Sequence, residues 1–443
     1  MATRFRALKH RNFQLFFGGQ LVSLIGTWMQ TTAQLLLVYH LTHSPALLGV
    51  FGFANQLPML LISSLGGYVA DRYSRHRGVI CTQSSAMALA FLLAGLTLAH
   101  VIRVWEIMVI GFLVGIVNAF DVPIRQAFIV QMVGKEDLAN AIALNSSMFN
   151  GARVVGPAIA GLTVAVVGEG WCFLANGVSF VAVIAALLAM RIAPVAPAPP
   201  EGSVVHHYVQ GFRFAMNDLP IRSALLLLSM LSVLGLQYAV FLPIFGSEVL
   251  HGGQGLIALL IRSMGLFAHG TISLDPGSLR TGLLMSAAGV GAVLGVLHFA
   301  ARTTYKGLAR WIAATSSITA LALILFSQSR VFWFSAAALF VLGSAATVQM
   351  AATNTLIQHR VPDALRGRVM AVYATMFMGV QPLGSLLAGG VAKRIGAPIT
   401  LSIFGLVCLL GAMTFILAVV VPLQKQRRAG APREGPMPER DAD

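Results

Sequence analysis

Charge is what this chain has least of. Only 10% of its 443 residues are Asp, Glu, Lys or Arg, and just 15 are acidic. With 57% hydrophobic residues and a mean hydropathy of +0.80, so much apolar surface cannot be hidden in a water-soluble core. The solvent it requires is largely lipid. Cysteine is also scarce: Cys81, Cys172 and Cys408 stand far apart inside apolar runs. They offer neither metal-ligand spacing nor a disulfide framework, and are expected to be core residues. There is no Gly-Lys-Ser/Thr phosphate loop, no nucleophile–base pair in a recognisable context, and no His/Cys/Asp cluster at metal spacing. The sequence therefore suggests no enzyme, no metal and no cofactor.

The charge that is present is mostly basic, 30 Lys and Arg against 15 acids, for a net +15. In a soluble protein this would suggest nucleic acid, but no basic face with interleaved aromatics accompanies it, so nucleic acid is not an expected partner. The charges follow the positive-inside rule instead. Apolar runs of ~20 residues, enough for a helix to cross ~30 Å of hydrocarbon, occur about twelve times. They lie near 13–36, 46–70, 79–99, 105–127, 139–167, 171–190, 221–247, 281–301, 309–327, 331–356, 367–391 and 399–421, numbered here as spans 1 to 12. The predicted fold is an all-α polytopic membrane protein. One set of alternate loops carries Arg4, Arg6, Lys9, Arg11, Arg72, Arg75, Arg77, Lys135, Arg191, Arg213, Arg222, Arg302, Lys306, Arg310, Arg360, Arg366, Arg368 and the basic tail. The other set holds only Arg103, Arg262, Arg280, Arg330, Lys393 and Arg394. Both termini are thus expected in the cytoplasm, with the bacterial inner membrane as the host bilayer. The start, "MATRFRALKHRNFQ", resembles the head of a signal peptide, but the apolar run after it is too long and lacks a small-residue cleavage site. It reads as the first span.

The apolar pattern breaks at "RIAPVAPAPPEGSVVHHYVQGF", a Pro/Ala/Gly-rich linker running into a short amphipathic segment at about 205–218. The expected organisation is a six-helix bundle over 1–191, a cytoplasmic linker over 192–220, a second bundle over 221–421 and a disordered tail over 422–443. A shift of 228 residues aligns 129–161 with 357–389 without a gap. Ile129/Ile357, Val133/Val361, Ala143/Ala371, Met148/Met376, Phe149/Phe377, Gly151/Gly379, Gly156/Gly384, Ala160/Ala388 and Gly161/Gly389 coincide, and Gly67 falls on Gly295. Duplication into two pseudo-symmetric halves in parallel orientation explains this register, and it is the layout of a rocker-switch transporter.

The stretch "GYVADRYSRHR" resembles the signature between helices 2 and 3 of the major facilitator superfamily, Gly-x-x-x-Asp-Arg-x-Gly-Arg-Arg. Gly67, Asp71, Arg72 and Arg75 match, while Ser74 replaces the usual Gly and His76 the usual second basic residue. "NFQLFFGGQLVSLIGTWMQ" and "LVYHLTHSPALLGV" resemble the subgroup that contains the enterobactin exporter and the macrolide efflux proteins. The resemblance covers nearly the whole chain outside the tail. It implies a conformational latch that shuts the cytoplasmic side in the outward-facing state. Gly67 would permit close helix approach, and Asp71 would accept from the N-terminus of span 11 near Arg366 and Arg368. Arg75 needs an acid, and Asp121 is the expected one. Phe299 and Gln349 occupy the corresponding places in the second half, so the latch is one-sided.

"GARVVGPAIAG" in span 5 resembles the Gly-Pro motif of the superfamily's drug antiporters, with Gly156, Pro157 and Gly161 matching and Gly151 opening the stretch. It favours export; generic helix packing is the plainer reading. The helix 4 arginine of drug–proton antiporters has no clear counterpart, because Arg125 beside Pro123 sits too near the cytoplasmic end. Arg153 lies near the middle of span 5, where a charge costs at least ~2.5 kcal/mol unless it meets water or a partner. It is read as a cavity cation for an anionic or acceptor-rich substrate, or as a structural arginine bonded to carbonyls. Helices 1, 4, 7 and 10 line the cavity in the resembled family, which favours Gln30, Gln34 and Gln237. Gln56, Gln381, Phe149 and Tyr238 complete the candidate lining, with Met148, Phe241, Met376 and Phe377 as further apolar wall. The expected function is proton-driven export of small amphiphilic molecules, siderophore- or drug-like, by a monomer. An importer of the same fold and a non-transporting sensor or scaffold remain open, and the 251–280 outer loop has no assigned role.

Overall fold

The computed structural model describes residues 6–134, 136–192, 204–251, 275–302 and 307–428. Twelve helices in it are long and apolar enough to cross a membrane. They are span 1 (Arg11–Thr42), span 2 (Pro45–Arg72), span 3 (Arg75–Leu98), span 4 (Val104–Val133), span 5 (Leu138–Val167) and span 6 (Glu169–Leu188). After the linker come span 7 (Leu219–Val249), span 8 (Pro276–Ala300), span 9 (Leu308–Gln328), span 10 (Phe332–Arg360), span 11 (Asp363–Ile395) and span 12 (Ala397–Lys425). Local chemistry sets the boundaries. Ser44 caps span 2 with Pro45 behind it, Ser74 caps span 3, and Asp275 caps span 8. Spans 5 and 6 meet at Gly168 (φ 90°) and spans 11 and 12 at Gly396 (φ 83°), both in the region of backbone space that glycine occupies without strain. These two glycines are 228 positions apart.

The loops rich in Arg and Lys gather at one end of the molecule, hereafter the basic end. Within the first six spans the main packing pairs are 1 with 5, 1 with 6, 2 with 4, 3 with 4 and 3 with 6. The same pairings recur six spans later: 7 with 11, 7 with 12, 8 with 10, 9 with 10 and 9 with 12. Glycines at these crossings repeat as well. Gly115 lies against Asn55 at the 2–4 crossing and Gly343 against Ala288 at the 8–10 crossing. Gly156 meets Trp28 in span 1, and Gly384 meets Val233 and Gln237 in span 7.

Spans 7 and 11 are not continuous α-helices. Span 7 narrows to a tight turn at Gly235–Gln237 and widens at Phe245–Val249, and span 11 widens at Thr375–Gly379. The amphipathic segment expected in the linker is the helix Val204–Asn217. It packs on the start of span 11, with Gly211 against the Arg368 backbone, an Arg368–Gln210 hydrogen bond and Ala215 fully buried. Asp218 then caps span 7 and pairs with Arg360 at 3.0 Å.

Three expectations change. Helix continues through Arg428, so the tail expected to be disordered from 422 is helical at its start, and 429–443 lies outside the described residues. Span 8 begins at Pro276, which shortens the expected outer loop; 252–274, like 193–203, lies outside the described residues. Cys172 and Cys408 are buried as expected, whereas Cys81 is exposed on the outer face of span 3.

Candidate functional site

The two sets of six spans meet along a seam formed by span 2 with span 11 and span 5 with span 8. Its tight contacts lie toward the end opposite the basic loops. A methyl group on Gly49 would stand 2.7 Å from the Gly389 Cα, and one on Gly161 2.9 Å from the Gly282 Cα. Such small-residue pairs allow backbones to touch, which is the main source of helix adhesion when the solvent is lipid. Ser286 Oγ donates to the Val154 carbonyl at 2.7 Å, and Asp275 N–H to the Ala165 carbonyl at 3.3 Å. Among the described glycines, those that touch the other half nearest the basic end are Gly379, against Leu60, and Gly289, against Arg153. Beyond that level Gly151 and Gly67 have nothing within 4 Å, and the first turns of span 11 rest on the linker helix.

Arg153 sits at the level of this Gly289 contact. It is halfway along the 30-residue helix Leu138–Val167, as its sequence position implied. Its guanidinium carbon lies 5.8 Å from the centre of the Trp28 ring in span 1. Trp28 in turn meets Phe149 edge-on at 5.8 Å. The Tyr238 hydroxyl, from span 7 in the other half, is close enough to interact with the same guanidinium. Arg153 is half-buried, and a cation–π contact worth ~0.5 to ~2 kcal/mol offsets part of the cost of a charge at membrane depth. Arg153 has no acid partner among the described residues, so its charge is available to an anion. Phe149 is 43% exposed, whereas Tyr238 is buried. Of the other apolar candidates, Met148 and Phe241 are packed into the core, and Met376 and Phe377 are half-buried.

The glutamines divide. Gln30 accepts a 2.7 Å bond from Asn176 of span 6, which points it into its own bundle. Gln34, one turn further along the same stripe, is buried with Nε2 unpartnered. Gln237 donates to the Ser232 carbonyl at 2.9 Å and accepts from Ser385 at 3.0 Å, so it braces the bend in span 7 against span 11. Gln30 and Gln237 are thus structural rather than cavity-lining, because both close bonds between helices. Gln56 lies between Gly52 and Leu60 on the stripe of span 2 that faces span 11, and Gln381 lies one turn from Ser385, which touches Gly52. Gln381 is also the residue 228 positions after Arg153.

Asp71 is the penultimate residue of span 2, and Arg72 bonds and stacks on Tyr68 (Nη1 to hydroxyl 2.6 Å). Arg75 donates to the Ala70 carbonyl at 3.1 Å and the Ala127 carbonyl at 3.3 Å, fastening the loop after span 2 to span 4. The expected Arg75–Asp121 pair does not form. Asp121 is buried with Arg125, one turn along its own helix at 3.3 Å, and accepts from Thr82 at 2.7 Å and Gln83 at 2.9 Å. The reason is depth: Asp121 lies six residues, about 9 Å, further into span 4 than the carbonyl Arg75 reaches. The close approach expected at Gly67 occurs one residue earlier, where a methyl on Gly66 would stand 2.7 Å from Pro123. In span 5, Gly156, Pro157 and Gly161 all serve packing, the first against span 1 and the others across the seam against Gly282.

A cluster at the end opposite the basic loops was missed. His40 Nδ1 lies 2.6 Å from Glu169 and Nε2 3.3 Å from Asp275, while Tyr39 donates to Glu248. Burial alone would raise the Asp275 carboxyl, but hydrogen bonds from His40 and Ser278 outweigh it and hold the pKa at about 2. The scarcity of acid was a usable signal. The sequence has only four acids at this end, Glu106, Glu169, Glu248 and Asp275, and three of them join the cluster.

A family model described as "Transmembrane secretion effector" matches residues 2–281 and 266–441. The staphyloferrin A transporter of Staphylococcus aureus (strain NCTC 8325 / PS 47) is 26% identical over 406 residues, covering 90% of this chain and 94% of that protein. The enterobactin exporter EntS of Shigella boydii serotype 4 (strain Sb227) is 23% identical over 426 residues, with coverage of 95% and 94%. Among solved structures, the nucleoside transporter NupG aligns with a TM-score of 0.68 at 15% identity, covering 93% of this chain and 98% of its own. A POT family transporter in complex with a thioalcohol-conjugated peptide aligns with 0.69 at 13% identity, covering 93% and 96%. At these identities the solved structures speak to the fold alone.

Proposed function

The chain belongs to the transmembrane secretion effectors of the major facilitator superfamily, and from that premise we propose that it is a proton-driven exporter of small, oxygen-rich amphiphiles of the siderophore type. The observation that carries the reading is Arg153, a mid-membrane cation without an acid partner among the described residues, held by Trp28 and Tyr238 from opposite sides of the seam. A ligand bound there touches both halves at once, as alternating access demands. A carboxylate or catecholate supplies the counter-charge, and Trp28 and Phe149 supply apolar surface. Relatives that handle staphyloferrin A and enterobactin support the ligand class.

With the basic end in the cytoplasm by the positive-inside rule, the tight glycine contacts at the other end support reading this conformation as closed outward and open inward, to load substrate. The two sets of six spans then act as pseudo-symmetric rocking bodies (1–191 and 221–421) joined by the linker, in a monomer in the bacterial inner membrane. The Gly67–Asp71 latch belongs to the other state, in which the basic end shuts. That assignment suits a Gly67 with open space beside it in this state.

The test is accumulation of a panel of siderophores and drugs in cells with and without the protein. Expression should lower retention, and Arg153→Ala should restore it at normal membrane abundance. Raised retention on expression would favour import, and unchanged retention across the panel would favour a sensor or scaffold.

A further inference from the structure

The acidic cluster at the end opposite the basic loops takes no part in the substrate site. Its groups come from both sides of the seam. His40 near the end of span 1 and Glu169 at the start of span 6 belong to the first six spans. Asp275 at the start of span 8 and Glu248 near the end of span 7 belong to the last six. Among the described residues, Tyr39 and His43, with rings 5.2 Å apart, and the Cys172 thiol beside Glu169 are further titratable side chains there. A polar cavity of about 330 Å³, lined in part by Glu248, His251, Gln328 and Arg330, touches the cluster at Glu248.

The geometry at His40 dictates its protonation. Each ring nitrogen faces a different carboxylate, Nδ1 at 2.6 Å from Glu169 Oε1 and Nε2 at 3.3 Å from Asp275 Oδ2. An ionised carboxylate has no proton to donate, so both bonds require both ring nitrogens to carry hydrogen, which is the imidazolium. Neutral imidazole would leave one lone pair pointing at a carboxylate. Asp275 is the fixed partner: an ordinary aspartate is ionised throughout the range in which an imidazole titrates, and the Ser278 hydroxyl and Gly277 N–H favour its charged form. It is also anchored, accepting from the Gly277 N–H at 2.9 Å and the Ser278 N–H at 3.2 Å as the cap of span 8. The variable element is therefore the proton on His40, and the bond that depends on it crosses the seam.

We propose that His40 is a proton-binding clamp on the extracellular gate: protonated, it ties the two halves together through Glu169 and Asp275, and without its proton it releases them. The proposal rests on the alternating-access reading above. The sign follows from linkage. The closed gate binds one proton more than the open gate, so acid outside favours closure and alkali favours opening, by up to about tenfold in the closed-to-open ratio per pH unit. Tyr39 and Glu248 make a second cross-seam bond that needs no added proton and keeps the gate aligned while His40 titrates.

The experiment measures distance across the gate in full-length protein in lipid nanodiscs. Spin labels go on Val101→Cys, between spans 3 and 4, and Val331→Cys, before span 10, both 57% exposed, with Cys81→Ser to remove the exposed native thiol. Between about pH 5 and about pH 9, the range spanning imidazole titration, the short-distance population should fall as pH rises. His40→Gln should abolish that dependence. Asp275→Asn, which keeps the cap but not the charge, should do the same and serves if His40→Gln folds poorly. Two populations whose ratio ignores pH, or follows it equally in both variants, would overturn the clamp alone. A single distance at every pH would overturn the clamp together with alternating access.

Discussion

Spans 1 and 5 run unbroken for 32 and 30 residues, whereas spans 7 and 11, which pack together in the same way six spans later, are each interrupted. The first pair crosses at Gly156, where a methyl would stand 2.5 Å from Trp28 Cβ, and carries Arg153 on rigid helix. The second pair crosses at Gly384 and spends its polar side chains on repairing the breaks. Ser229 donates to the Met376 carbonyl at 3.0 Å, Ser232 to the Phe377 carbonyl, and Ser385 to Gln237. Backbone groups freed inside a membrane need such partners, because lipid offers none. The difference teaches a division of labour: the continuous pair holds the charge in place, and the interrupted pair supplies the bend.

The contrast can be broken most severely at the glycines. Gly156→Val forces a side chain into Trp28 and should abolish folded, membrane-inserted protein, while Gly151→Ala, in open space, should leave abundance within experimental error; fluorescence-detected size exclusion checks both. Next is the charge. Arg153→Ala should lower export by at least about tenfold, equivalent to ~1.4 kcal/mol of lost interaction. Gln381→Ala, at the equivalent position, should lower it only a few-fold, and equal losses would remove the asymmetry. Asp71→Asn should slow transport several-fold without loss of insertion if the proposed latch acts in one state only. Phe299→Ala, at the equivalent place, should not. The smallest effect is expected at Ser385→Ala, which deletes one brace of the bend and should cost about 1 kcal/mol, seen as a modest fall in the thermal midpoint of detergent-solubilised protein.

All twelve spans were legible because a lipid-crossing helix writes itself as a long apolar run, and their order survived with boundary shifts of a few residues. Arg153 was legible for the complementary reason: a lone charge in such a run is conspicuous. The partner Asp121 has in this conformation was overlooked although its spacing was available. Arg125 lies four residues on, the separation at which helical side chains meet, and a contact one turn away outcompetes one across a loop. The breaks in spans 7 and 11 were hidden because their composition is as apolar as that of a straight helix. The His40 cluster was hidden because its members are scattered from position 39 to 275 and each looks alone like a loop residue. Only the packing of span 1 beside the starts of spans 6 and 8 brings them together.

The central claim is most directly tested in inside-out membrane vesicles carrying the purified protein, supplied with enterobactin or staphyloferrin A and an imposed proton gradient. The unmodified protein should accumulate substrate in the lumen in proportion to the gradient, and Arg153→Ala little at equal abundance. Accumulation by Arg153→Ala at the unmodified rate, or none by either protein with or without the gradient, would contradict that claim.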